Sequence, residues 1–78
     1  MQGLKYHMGI QISGKQMVNI LQQHGFIKIS QRGSHVKMRK SEPSAVISII
    51  VPDHKMLKPG TLHNILKRAN IKKQDISR

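Results

Sequence analysis

The sequence predicts a two-layer α+β domain in the order helix, three strands, helix. Three observations carry that prediction. An apolar stripe at helical spacing stands near each end of the chain, and the middle is rich in β-branched residues broken by short polar turns. With 78 residues, the chain has room for one core only.

The first helix opens at Ser13. Ser13 and Gln16, three residues apart, form a capping box in which each side chain satisfies a free backbone N–H. Met17, Val18, Ile20 and Leu21 then recur at helical spacing. Gly25 after His24 is a suitable stop, which places the helix near residues 14–24. Phe26, Ile27 and Ile29 begin the first strand. Gln31-Arg32-Gly33-Ser34 is a turn signal, and a second strand follows from about His35 to Arg39. Lys40 to Ser44 is expected as a loop. The third strand runs from Ala45 to Val51 and ends at Pro52, which lacks a ladder N–H. Short polar connections make this an antiparallel meander with one buried face.

Residues 52–60 lead into the second helix, where Pro59 suits the first turn. Leu62, Ile65, Leu66 and Ala69 form its stripe, and Asn70 can end it. Residues 72–78 are polar, with Ile76 able to dock on the core. Residues 1–11 show no period and contain a second methionine, Met8. They are expected to be a leader or disordered N-terminus, leaving 12–78 as a single domain.

Composition narrows the function. Fourteen Lys and Arg face only Glu42, Asp53 and Asp75, for a formal charge of +11. Such an excess mildly opposes folding through self-repulsion and points to a polyanionic partner, most commonly nucleic acid. The absence of cysteine rules out a disulfide framework and a thiolate metal site. Ile49-Ile50-Val51 is the longest apolar run, far short of the roughly 20 residues that span a bilayer. The N-terminus lacks the apolar stretch of a secretory signal. The expectation is a soluble, cytoplasmic protein. Neither helix has the aromatic or bulky apolar face of an interfacial membrane binder. Tyr6 and Phe26 are the only aromatics, so base-stacking platforms are disfavoured.

Within this basic chain, Arg32-Gly33-Ser34 delivers His35 onto a cationic strand. Extended backbone puts His35, Lys37 and Arg39 on one face, while Val36 and Met38 point toward the core. An imidazole beside two fixed positive charges suits chemistry on a phosphodiester. Lys37 and Arg39 can stabilise charge on a phosphorane or simply attract RNA. Gly33 permits close backbone approach to an anion, and Ser34 can donate to a phosphate or cap the turn. Arg32 joins Lys15, Lys28, Lys67, Arg68, Lys72 and Lys73 in a broader electrostatic surface. His54, in the loop after the third strand, is the best second imidazole for protonating a leaving group. His24 suits the C-terminus of the first helix as a cation, and His63 faces solvent on the second. The five histidines lack close ligand spacing and the acids are dispersed, so no metal site and no cofactor is expected. A serine triad and a glycine-rich nucleotide loop are likewise not evident.

The element order also matches double-stranded-RNA-binding domains. Three local patterns then occur in sequence. Gly14-Lys15 opens a helix ending in His24-Gly25-Phe26, and Gln31-Arg32-Gly33-Ser34-His35 begins the second strand. Leu57-Lys58-Pro59-Gly60-Thr61-Leu62 leads into Ile65-Leu66-Lys67, with Ala69 and Ile71 following. Together these resemble the HicA family of small toxins over about residues 12–76. The resemblance implies a double-stranded-RNA-binding-domain-like fold, with two helices on one face of a three-stranded antiparallel sheet. It also implies an mRNA interferase, the toxin of a type II toxin–antitoxin pair, neutralised by a HicB antitoxin and oligomeric mainly through it. The family's functional histidine falls on His35. Where many members carry a second histidine directly after it, this chain has Val36.

The expected activity is metal-independent cleavage of mRNA with His35 as general acid or base, and with Arg32, Gly33, Ser34, Lys37 and Arg39 binding RNA. The alternatives are a non-catalytic basic RNA-binding module, with His35 a phosphate contact, and a protein-interaction domain matched to an acidic partner.

Overall fold

A computed structural model describes residues 11–76; residues 1–10 of the expected leader lie outside them. The chain forms helix α1 (Gly14–Gln23), strands β1 (Ile27–Arg32), β2 (His35–Glu42) and β3 (Ala45–Pro52), and helix α2 (Pro59–Ala69). A short 3-10 turn, Lys73–Asp75, follows. The sheet is antiparallel in the order β1-β2-β3. The α+β architecture therefore agrees with the sequence expectation.

Strand alternation explains the two layers. Val36 and Met38 of β2 and Ile49 and Val51 of β3 point to one side and are buried there. Met17 and Leu21 of α1, with Leu62, Ile65, Leu66 and Ala69 of α2, complete the same core. Both helices thus cover one face. The opposite face, carrying His35, Lys37 and Arg39, stays open. Ile76 packs against the core as expected.

The helix ends follow the local chemistry. Ser13 Oγ accepts from the Gln16 N–H at 3.0 Å, and Gln16 Oε1 accepts from the Ser13 N–H at 2.9 Å. This reciprocal cap stabilises the start of α1 by about 1 kcal/mol. Pro59 occupies the first position of α2, and Asn70 ends it in the left-handed region at φ 59°.

Besides one-residue shifts at the end of α1, which stops at Gln23, and of β3, which includes Pro52 paired with His35, two boundaries differ from expectation. Lys40, Ser41 and Glu42 continue β2 instead of forming a loop, paired with Ile47, Val46 and Ala45. Lys40 lies on the helix side, with its ammonium 5.8 Å from the Phe26 ring centroid and 3.5 Å from Glu42. Its aliphatic stem runs beside Gly25, 3.2 Å from where a Cβ there would stand, so a charged residue fills an inward strand position with its head kept outside. The hairpin tip overhangs β1, whose ladder ends at the Ile27–Arg39 pair. At the other end of the sheet the expected four-residue turn shrinks to Gly33-Ser34, because Gln31 and Arg32 belong to β1. Gly33 has φ 56° and Ser34 is not in the positive-φ region, the pattern of a type II′ hairpin.

Candidate active site and nucleic-acid interface

A bulge in β1 sets the composition of the site. Lys28 pairs with Met38, but Ser30 pairs with Lys37, so Ile29 is an extra residue without a partner. The side-chain alternation of β1 inverts at that point. Beyond it, Ser30 and Arg32 share the open face with Lys37 and His35, while Gln31 pairs with buried Val36 on the helix side. Without the bulge, Arg32 could not stand opposite His35. The strand would also miss the register that a two-residue turn needs.

On the open face, His35 is exposed, flanked across the ladder by Arg32 and Pro52. Lys37 and Arg39 follow along β2, both half-buried. Arg39 Nε is enclosed and makes no hydrogen bond among the described residues, leaving a donor whose pairing would be favourable. Ile27 stands opposite Arg39 and Ile50 opposite Lys37, 61% and 49% exposed, and Val46, 61% exposed, lies further along the same face opposite Ser41. The structure thus brings Arg32, His35, Lys37 and Arg39 onto one surface. Gly33 and Ser34 form the turn at its rim. A Cβ on Gly33 would meet nothing within 4 Å, so its backbone is open to approach.

The end of the sheet is laced to the start of α1. Asp53 donates its N–H to the Ser34 carbonyl at 2.7 Å, and Gly14 donates to the His54 carbonyl at 2.8 Å. Leu57 donates to the Ile12 carbonyl at 2.8 Å. A Cβ on Gly14 would overlap the Pro52 carbonyl oxygen and lie 2.8 Å from Asp53 Cα, so only glycine permits this approach. The lacing holds the segment after β3 beside the β1–β2 turn. It brings His54, exposed, to the same end of the molecule.

Two clefts of about 300 Å³ and 330 Å³ open on the helix side of this end and share Lys15 and Asp53. His54 lines the second, not the open sheet face. Sequence reasoning passed over Asp53 as one of three dispersed acids; its position directly after β3, in so basic a chain, was the available signal. Arg68 is also more than generic charge, since it donates to the Ser48 carbonyl at 2.8 Å and ties α2 to β3. His24 Nδ1 lies 2.9 Å from the Ile20 carbonyl, a local contact at the end of α1. His63 is exposed as expected. Among the described residues no group of three or more His, Asp or Glu could hold a metal ion, and no helix is long and apolar enough to cross a membrane.

No curated protein and no solved structure gives a significant match to the chain. The family model of the HicA toxin of bacterial toxin–antitoxin systems matches residues 14–71, from the glycine packed on Pro52 to the residue after the Asn70 cap. That span takes in both helices, the whole sheet and the His35 turn, and the chain belongs to the HicA toxin family.

Proposed function

We propose that this toxin is a metal-independent endoribonuclease of mRNA, with His35 as general acid or base. The observation that carries the reading is the exposure of His35 on an open sheet face that also bears the cations Arg32, Lys37 and Arg39. In this mechanism a base removes the 2′-hydroxyl proton as that oxygen attacks phosphorus. An acid protonates the departing 5′-oxygen, and each positioned group contributes roughly 10² to 10⁴ in rate. Arg32, Lys37 and Arg39 hold the phosphate, the arginines through paired N–H donors and the lysine as a point charge. The backbone at Gly33-Ser34 lies against the same phosphate.

The partner in this reading is an acidic HicB antitoxin in the cytoplasm, which makes the assembly oligomeric. Ile27, Val46 and Ile50 support that role for the open face, because exposed apolar side chains among cations suit a partner that buries one and pairs the other. An antitoxin seated there would cover His35 and compete with RNA.

A non-catalytic RNA-binding module is the second reading. The observation favouring it is that the His35 ring makes no orienting hydrogen bond among the described residues. Incubation of purified protein with RNA in excess chelator separates the two. The nuclease reading expects cleavage with 2′,3′-cyclic phosphate ends; tight binding with intact RNA would establish the module instead.

A further inference from the structure

Asp53 is the acidic residue that lines both lysine-bearing clefts. The other two acids have partners: Glu42 lies beside Lys40, and Asp75 Oδ2 accepts from the Lys72 N–H at 3.3 Å. Asp53 is half-buried, and its carboxylate has no hydrogen bond or ion pair among the described residues. A negative charge among lysines works against a bound phosphate, so its place in the cleft needs another explanation. It does not face His35. Pro52 shares the open face with His35, whereas Asp53 lines the helix-side cleft with Lys28 and Gln31.

We propose that the cleft between α1 and β1 binds one nucleotide and selects guanine through Asp53. The proposal rests on the reading of this chain as an RNA-binding protein and names the base it reads. The cleft, about 300 Å³, falls at the small end of the range for small-ligand sites. Val18 and Val36 give apolar wall for the faces of a base, and Asn19 adds an amide at the edge. Lys15 and Lys28 supply ammonium groups for the phosphate. Gln31 holds Lys28 in place: its Oε1 accepts from Lys28 Nζ at 3.0 Å while its Nε2 donates to the Gly33 carbonyl at 3.0 Å.

A carboxylate offers two acceptor oxygens and no donor. Guanine presents two adjacent N–H donors, N1–H and the N2 amino group, on its pairing edge. Adenine and cytosine present one amino group beside a ring acceptor, which a carboxylate repels. Uracil flanks its single N–H with two carbonyls. The two-oxygen, two-donor match therefore singles out guanine.

The test is a titration of the full chain with 5′-GMP, AMP, CMP and UMP, followed by amide NMR. The expected result is roughly tenfold tighter binding of GMP, with shifts centred on Asn19, Lys28 and Asp53, and loss of that preference in Asp53→Asn. Equal binding of the four nucleotides, no binding of any, or shifts confined to the open sheet face would overturn the proposal. The ranking on the unmodified protein decides the matter even if the variant is unstable. A guanine preference without RNA cleavage would leave the pocket standing and sink the nuclease reading. Cleavage without a base preference would do the reverse.

Discussion

His35 stands opposite Pro52 across the β2–β3 ladder, and the carbonyl of Pro52 is packed against the backbone of Gly14. The strand carrying the imidazole is therefore braced, through its neighbour, by the first residue of α1. The hydrogen bond from Asp53 to Ser34 and the one from Gly14 to His54 tie the same corner together. An exposed ring on a rigid backbone position is what a small domain needs to present a catalytic group reproducibly.

Gly14→Ala tests that brace. The added methyl has backbone on its far side, with no flexible side chain to yield, so the loss should be about 1–3 kcal/mol. Urea unfolding measures it. Gly60→Ala is the control, since a Cβ there meets nothing within 4 Å and the site is helical; it should be neutral or slightly stabilising.

At Gly33 the difficulty is conformational only. Its φ is 56° and the space above it is open, so Gly33→Ala should cost about 1–2 kcal/mol through the left-handed backbone. Gly33→Asn should recover part of that loss. Thermal unfolding of the two variants side by side checks the order.

The reach of the sequence is clearest where chemistry is local. Ser13 with Gln16, Gly25, Pro59 and Asn70 are each self-contained signals, and each sits where its own side chain or backbone preference puts it. The alternation that sends Val36 and Met38 inward and His35, Lys37 and Arg39 outward is equally local. The Ile29 bulge was not legible, because an extra strand residue is defined only by its partner strand. Glu42 as a strand residue was hidden for the same reason, its pairing with Ala45 outweighing a polar run. Gly14 against Pro52 and Asp53 in the cleft depend on contacts between residues nearly 40 positions apart, which no spacing rule encodes.

The cations on the open face should act through phosphate. Lys37→Ala and Arg39→Ala should each weaken RNA binding and reduce the slope of log affinity against log salt by about 0.7, the value for one single-strand phosphate contact. Lys67→Ala, exposed on α2 away from that face, should leave the slope unchanged. Fluorescence anisotropy across a salt series reads both.

In the proposed mechanism one imidazole performs chemistry on RNA that its neighbours bind. Cleavage rate and RNA affinity should be measured together, in excess chelator, for the unmodified chain, His35→Ala and His54→Ala. His35→Ala should lose at least about 10²-fold in rate while keeping its affinity within a few-fold, and His54→Ala should lose less. Undiminished cleavage by His35→Ala would contradict it.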